Sequence, residues 1–206
     1  MISWIVFDAM GVIYTESDDV CGLLLPFVLR YNPKILRKTF IDTYVQASIG
    51  RITSRELWEQ FGLGNRYPDI ERLYLDTMLT IDKDFRSVAL GLREKFLLGL
   101  LSNDVAEWSV HLRNRFDLNF FEATVVSGEA MCRKPHPEIF ELFLKRSKAN
   151  APECVFVDDR KKNLEAAASL GFKTVWFHRI EDDHAFMADV EITSLAGLEN
   201  AIARIT

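Results

Sequence analysis

Short runs of apolar residues recur along the chain, and each of them is followed at once by polar residues. The three clearest runs are residues 2–7, 97–101 and 154–157, and two weaker ones are residues 123–126 and 174–177. Continuous apolar runs of this length are typical of parallel strands that are covered on both faces of a sheet. The pattern therefore predicts five buried strands.

The segments between these runs repeat apolar residues every three or four positions, which is the spacing of one helix face. This pattern covers residues 106–116, 137–148 and 161–170, and Gly171 follows the last of them where a C-terminal capping glycine would lie. Alternating strands and helices imply right-handed crossovers and a parallel sheet. The predicted fold class is α/β, with a doubly wound, Rossmann-like parallel sheet as its core.

Residues 15–80 follow a different pattern, with helix after helix and no convincing strand. Three signals begin these helices: an Asn-Pro pair at 32–33 for a helix to about residue 48, a capping-box pair at Thr53 and Glu56, and a Tyr-Pro pair at 67–68. We interpret this block as an all-helical cap domain inserted after the first strand, with hinges near Thr15 and Thr80. Residues 1–14 and 81–206 would then form the α/β catalytic core.

Polar side chains follow three of the predicted strands. Asp8 comes directly after the first strand, Ser102 and Asn103 follow the second, and Asp158 and Asp159 follow the third. In an open parallel sheet, ligands bind outside the carboxyl ends of the strands. The sequence therefore predicts a site at this edge of the sheet.

Asp8 and Ser102 each allow a chemical and a structural interpretation. A carboxylate at a strand tip, with Gly11 permitting a tight turn, is well placed to attack an electrophile, but a turn or capping Asp fits equally well. The Ser102 hydroxyl, with the amides of the next helix, can hold a phosphoryl or carboxylate oxygen. It can also serve as the N-cap of that helix.

The remaining candidates are charged. Lys134 could neutralise a nucleophile and a bound anion, although most lysines are simply solvated. Asp158 and Asp159 would repel each other unless hydrogen bonds or a cation offset their charges, and a hard ion such as Mg²⁺ suits oxygen ligands. The structural alternative is an Asp that caps the helix beginning near Lys161.

Taken in chain order, these signals resemble the haloacid dehalogenase-like superfamily. Its motifs are a strand followed by Asp-x-Asp-Gly-Thr/Val, a strand ending in Ser or Thr, a Lys often followed by Pro, and a strand ending in an acidic pair. Here they read Asp8-Ala9-Met10-Gly11-Val12, Ser102-Asn103, Lys134-Pro135 and Asp158-Asp159. The resemblance covers residues 1–14 and about 85–180, and the helical insert lies where the family has an α-helical cap.

The resemblance implies a role for each residue. Asp8 would attack the substrate and form a covalent intermediate, while Ser102 and Lys134 would stabilise the transferring group. Gly11 and Asn103 would contact the bound phosphate. The implied ligands of the cofactor, Mg²⁺, are Asp8, the backbone carbonyl of Met10, Asp158 and Asp159.

Position 10 departs from the family pattern, since phosphatases of the superfamily usually have a second Asp there that donates and accepts a proton. Met10 can do neither, and loss of a general acid–base typically costs about 10²- to 10⁴-fold in rate. The leading hypothesis is a phosphatase of a branch that lacks this Asp, acting on a small phosphorylated metabolite such as a sugar phosphate. A haloacid dehalogenase, a catalytically weak binding or regulatory protein, and other chemistries such as phosphonate cleavage are the alternatives.

Composition limits the classes of molecule that we expect the chain to bind. The 206 residues carry a formal net charge of −5 and a pI near 5.5, which disfavours nucleic acid and anionic membranes but allows a small anionic substrate in a locally cationic pocket. The three cysteines fit no zinc motif. With no basic leader and no membrane-length apolar run, we expect free thiols in a cytoplasmic protein. No pattern along the chain encodes the oligomeric state.

Overall fold

A computed structural model describes residues 1–179 and 181–205; Ile180 and Thr206, which fall within the predicted core, lie outside the described residues. In this part of the chain, six strands form one sheet in the order β3-β2-β1-β4-β5-β6, and every neighbouring pair is parallel. The strands are β1 (Trp4–Phe7), β2 (Leu97–Ser102), β3 (Ala123–Val126), β4 (Cys154–Asp158), β5 (Lys173–Phe177) and β6 (Val190–Ile192). This sheet confirms the predicted α/β class and Rossmann-like core.

The helices fall into an early block and a later set that alternates with the strands. The early block is α1 (Leu25–Tyr31), α2 (Arg37–Ser48), α3 (Ser54–Gln60) and α4 (Asp69–Thr77), preceded by a five-residue π-helix, Val20–Leu24. The later set is α5 (Phe85–Arg93), α6 (Ala106–Arg115), α7 (Ser127–Ala130), α8 (Pro137–Ser147), α9 (Lys161–Ser169) and α10 (Leu198–Ile205).

Both faces of the sheet are covered, as a parallel sheet requires. Successive side chains of a strand point to opposite faces, so Ile5 and Phe7 pack on one side of β1 and Trp4 and Val6 on the other. The first side is covered by α5, α6, α10 and the early block, and the second by α8 and α9. Two apolar layers therefore position the strand ends.

The five predicted strands are confirmed to within two residues at each end, but β6 was not predicted. Only Val190–Ile192 pairs with β5, and the middle residue of this edge strand is exposed. Such a short segment has no continuous apolar run for periodicity to detect.

One helix start was predicted wrongly. Asn32 does not begin a helix; it is the C-terminal cap of α1, and its side-chain amide donates to the Phe61 carbonyl (2.9 Å). The following helix starts five residues later, at Arg37. The capping box at Thr53 and Glu56 is confirmed, because each side chain bonds the backbone amide of the other residue.

The early block packs closely against the sheet. Its two ends meet, since the Thr15 amide donates to the Thr80 carbonyl (3.0 Å). The indoles of Trp58 in α3 and Trp108 in α6 both donate to one carboxylate oxygen of Glu71, at 2.9 and 2.8 Å. The division into a cap of residues 15–80 and a core remains a prediction, and the Trp108–Glu71 hydrogen bond crosses its boundary.

Two expectations from composition can be compared with the fold. Cys21, Cys132 and Cys154 are free thiols. Among the described helices, none combines the length and the apolar character that crossing a bilayer requires.

Two glycines provide a matched test of this packing. A Cβ at buried Gly99 in β2 would lie 2.5 Å from Cζ of Phe143, whereas one at exposed Gly91 in α5 would meet no atom within 4 Å. Gly99→Ala should lower the free energy of unfolding by about 1–3 kcal/mol through overpacking. Gly91→Ala should raise it by about 0.5–1 kcal/mol through its helix propensity. Urea denaturation measures both, and equal effects would contradict the described packing.

Candidate active site

The carboxyl ends of three adjacent strands bring the predicted polar residues to one edge of the sheet. Asp8 follows β1, Ser102 ends β2 and Asp158 ends β4, and β1 lies between the other two strands. The Asp8 amide donates to the Val157 carbonyl (2.9 Å), which continues the β1–β4 ladder one residue past the end of β1. Strand pairing therefore fixes the backbone of Asp8.

Lys134 lies at the centre of this edge although it comes from a loop. Its ammonium nitrogen is 2.7 Å from Oδ1 of Asp8 and 2.8 Å from Oδ2 of Asp158, and the residue is only 2% exposed. Asn103 positions the loop, because its side-chain amide donates to the Lys134 carbonyl (3.0 Å) and its side-chain oxygen accepts from the Lys134 amide (2.8 Å). The interpretation of Lys134 as a solvated surface residue is therefore wrong.

The two terminal acids of β4 have different surroundings. Asp158 accepts hydrogen bonds from the Arg160 amide (2.8 Å) and the Asn163 side chain (3.0 and 3.1 Å), besides its ion pair with Lys134. Asp159 is equally buried, yet neither of its carboxylate oxygens has a hydrogen-bond partner among the described residues. A buried carboxylate without a partner is costly unless a cation or a proton neutralises it.

Three carboxylates could together hold such a cation. Asp8, Asp158 and Asp159 each offer an oxygen, and these oxygens lie within 4.8 Å of one another. Against three buried carboxylates stand the fully buried ammonium of Lys134 and the partly buried guanidinium of Arg160. This imbalance, together with the unpartnered Asp159, fits a hard divalent ion bound through oxygen ligands.

Burial and this charge imbalance shift the pKa values of Asp8, Asp159 and Lys134. Burial raises the pKa of Asp8 well above its ordinary value; the Lys134 charge opposes this shift, and the charges of Asp158 and Asp159 add to it. Burial and the Asp158 charge raise the pKa of Asp159 to about 7, although the nearby Ser17 hydroxyl and the charges of Arg160 and Lys134 oppose this shift. Burial alone would lower the pKa of Lys134, but the two carboxylates that it contacts outweigh burial and raise it.

The sequence matches known proteins over most of its length. A model of the haloacid dehalogenase-like hydrolase family matches residues 2–171. The chain belongs to this family. Its fold is the one that the family resemblance implied.

Three similar proteins describe the chain's place within the family. A glyceraldehyde 3-phosphate phosphatase of Pyrococcus abyssi is 38% identical over 96 residues, which are 45% of this chain and only 40% of that protein. A D-ribitol-5-phosphate phosphatase of Bacteroides thetaiotaomicron is 29% identical over 192 residues, covering 84% and 91% of the two chains. The crystal structure of a family enzyme from the same bacterium, in complex with magnesium and inorganic phosphate, superposes with a TM-score of 0.74 at 25% identity, covering 91% of this chain and all of that one.

The backbone conformation at position 11, in the first family motif, requires glycine. Gly11 has a φ of +76°, and a Cβ at this position would collide with the Asp159 carboxylate. Its amide donates to the Glu16 carbonyl and its own carbonyl accepts from Arg179, both at 2.9 Å. A phosphate contact by Gly11 remains a prediction, and the structure commits this amide elsewhere.

Ser102 does not cap the helix that follows it. The N-cap of α6 is Val105, and the Ser102 hydroxyl is buried without a hydrogen-bond partner among the described residues. A donor with no internal partner is available to a ligand oxygen. The proposed role of Ser102 is compatible with this position, whereas the capping alternative is not.

Met10, where the family's phosphatases have a second Asp, contributes to the wall of a large cavity. This cavity has a volume of about 910 Å³ and is also lined by Asp8, Asn103 and Lys134. Residues of the early helical block, including Ile41 and Tyr44, also line it. The predicted role of the Met10 carbonyl in binding metal stays a prediction.

Sequence reasoning missed several buried polar residues of this site. Asn163 has a usable signal, since an amide one helical turn into α9 can reach back to the acidic strand end. Ser17 and Asp19 have none, because a Ser-Asp-Asp stretch after a turn is typical of a solvated loop. In the fold both are buried, and Asp19 lines the cavity.

Lys134 gives a stability test of this geometry. Lys134→Met leaves Asp8 and Asp158 buried without their ammonium, so the free energy of unfolding in metal-free buffer should fall by about 3–5 kcal/mol. Lys95→Met is the matched control, because the Lys95–Glu199 pair is exposed on both sides and screened by water. Chemical denaturation at neutral pH measures both, and a loss no larger than that of the control would refute a buried, shared Lys134.

Proposed function

We propose that this chain is a Mg²⁺-dependent phosphatase that acts on a small phosphorylated metabolite through an aspartyl-phosphate at Asp8. The observation that carries the proposal is the buried trio of Asp8, Asp158 and Asp159, in which the Asp159 carboxylate meets no hydrogen-bond donor at bonding geometry within the described part of the chain. Displacement of a halide by a carboxylate requires neither a cation nor a proton donor. Dehalogenation therefore leaves the third carboxylate without an explanation.

The donor set suits Mg²⁺, which prefers oxygen ligands. Asp8, Asp158 and Asp159 would hold the ion, together with the Met10 carbonyl. When bound, the ion supplies positive charge that neutralises the transferring phosphoryl group. The family enzyme solved with magnesium and inorganic phosphate supports this choice of metal.

The chain's own residues position the nucleophile and stabilise charge. Both contacts of the Asp8 carboxylate, with Lys134 and with the Ala9 amide, go to Oδ1, so Oδ2 is the oxygen free to attack phosphorus. The Lys134 ammonium offsets charge on the phosphoryl oxygens, and the unpartnered Ser102 hydroxyl donates a hydrogen bond to one of them. Phosphoryl transfer depends mainly on such positioning and charge stabilisation.

The cavity limits the size of the substrate. Its volume of about 910 Å³ lies within the range of small-molecule pockets. The relatives named as ribitol 5-phosphate and glyceraldehyde 3-phosphate phosphatases support a small phosphate ester. We further propose that residues 15–80 act as a cap, since Ile41 and Tyr44 of α2 line this cavity together with Asp8.

Activity gives the direct test. The purified chain should release nitrophenol from 4-nitrophenyl phosphate with Mg²⁺, and chelation of the metal should abolish the release. Asp8→Asn should reduce the rate to background because the amide is a poor nucleophile. Asp117→Asn is the matched control and should retain activity, since Asp117 is exposed and has a φ of 54° that Asn tolerates. Release of chloride from 2-chloropropionate that survives chelation would instead favour a dehalogenase.

Metal binding can be tested without catalysis. Mg²⁺ should raise the melting temperature, because a ligand at 100 times its Kd stabilises the folded state by about 2.7 kcal/mol. Asp159→Asn should abolish this response, and Asp117→Asn should keep it. Differential scanning fluorimetry with and without Mg²⁺ makes the measurement. A full response in Asp159→Asn, or none in the unmodified chain, would contradict the proposed metal site.

A further inference from the structure

The proposed phosphatase lacks an obvious proton donor, because Met10 replaces the family's usual acid. An alkoxide leaving group needs a proton, and the water that later attacks the aspartyl-phosphate must lose one. The three carboxylates of the proposed metal site are committed to the nucleophile and the ion. Another group that faces the cavity must therefore carry the proton.

Asp19 has the required position. It immediately precedes the π-helix Val20–Leu24 and lines the same cavity as Asp8. Two residues earlier, the Ser17 hydroxyl and the Asp159 carboxylate both lie beside Gly11, and the Ser17 carbonyl accepts from the Arg160 guanidinium (2.7 Å). Two residues span at most about 7 Å of extended chain, so these contacts keep Asp19 beside the strand ends.

The Asp19 carboxyl group is buried and is available for proton transfer. The residue is 6% exposed, and within the described residues no hydrogen bond from another residue reaches its side chain. The other acids that line the cavity outside the metal site differ from it. Asp18, Glu181 and Asp183 are exposed, and Asp182 accepts from the Lys161 amide (2.9 Å).

The surroundings of Asp19 allow it to exchange a proton near neutral pH. Burial raises the pKa of Asp19 to about 7, with the charges of Asp18 and Glu16 adding to the shift and that of Arg160 opposing it. An acid with a pKa near the working pH is the most effective at proton transfer.

Three other ionisable groups face Asp19. Tyr44 of α2, Tyr74 of α4 and Asp104 all interact with its charge, and burial together with that charge raises the pKa of each well above its ordinary value. The two tyrosines therefore stay protonated at neutral pH, and Asp104 does not line the cavity, whereas Asp19 does.

We propose that Asp19 is the general acid and base of this site, in place of the missing acid at position 10. The assignment rests on the proposed phosphatase function. It places the proton donor on the segment that leads into the helical block rather than in the loop that follows Asp8.

The two steps balance with Asp19 in this role. First, an Asp8 oxygen bonds to phosphorus, the bond from phosphorus to the ester oxygen breaks, and the Asp19 carboxyl gives its proton to that oxygen. Then the Asp19 carboxylate takes a proton from water, the water oxygen bonds to phosphorus, and the bond from Asp8 to phosphorus breaks. Alcohol and inorganic phosphate leave, and both carboxyl groups return to their starting states.

A comparison of leaving groups tests this role. Asp19→Asn should lower kcat/KM for glycerol 2-phosphate, whose alkoxide needs a proton, by about 10²- to 10⁴-fold. It should lower kcat/KM for 2,4-dinitrophenyl phosphate by less than about threefold, because dinitrophenolate leaves without one. Asp19→Glu, which keeps the carboxyl group, should recover part of the activity on glycerol 2-phosphate.

The pH profile gives a second readout. In the unmodified chain, kcat/KM for glycerol 2-phosphate should fall as the pH rises above about 7, since only protonated Asp19 can donate. Asp19→Asn should lose this alkaline limb. Asp18→Asn removes the same charge one residue away but keeps the Asp19 carboxyl group. The difference in kcat/KM between glycerol 2-phosphate and 2,4-dinitrophenyl phosphate should therefore stay small. The alkaline limb should move to lower pH, because the Asp18 charge helps to raise the pKa of Asp19.

The outcomes separate the two proposals. If the unmodified chain hydrolyses neither ester, the phosphatase function itself is wrong. If it hydrolyses both and Asp19→Asn loses both equally, or keeps the alkaline limb, the assignment of Asp19 is wrong while the function stands. An unchanged melting temperature and Mg²⁺ response in Asp19→Asn establish that the variant is folded, and Asp19→Glu applies the same test if it is not.

Discussion

The buried ammonium of Lys134, shared between Asp8 and Asp158, is the interaction on which the rest of this site depends. Carboxylates at the tips of neighbouring strands repel one another in a medium that screens charge poorly. A single cation between them allows β1 and β4 to end in acids without forcing either to turn away. Its position depends in turn on Asn103, which bonds the Lys134 backbone in both directions.

Lys134 compensates only part of the negative charge of Asp8, Asp158 and Asp159. The proposed divalent ion would compensate the remainder. Asp159 is buried and unpartnered, and Gly11 allows the first loop to pass against it where any Cβ would collide. The fold thus accepts a local cost in the metal-free state. A bound divalent cation would remove that cost, which couples ion binding to the stability of the strand ends.

The helical block is more than an attached lid. Its apolar side chains join the core on one face of the sheet, and Glu71 ties the indole of Trp58 to that of Trp108. The segment entering the block carries Ser17 and Asp19 over the strand ends. With the proton donor assigned to Asp19, the position of the block and the chemistry at Asp8 become linked, because the acid lies on the segment that leads into the block.

The sequence by itself determined the architecture and the edge of the sheet at which the candidate site lies, since both depend on local signals. Apolar runs located five strands, and parallel pairing then brought Asp8, Ser102 and Asp158 to one edge whatever the side-chain details. The short edge strand Val190–Ile192 and the true start of α2 escaped prediction, because three residues show no periodicity and Asn32 suits either end of a helix. Only the tertiary structure decided that Lys134 is buried, that Asp159 lacks a partner and that Asp19 faces the site. These properties arise from contacts between segments far apart in the chain, and burial, which sets the cost of a charge, is not visible in the residues beside it.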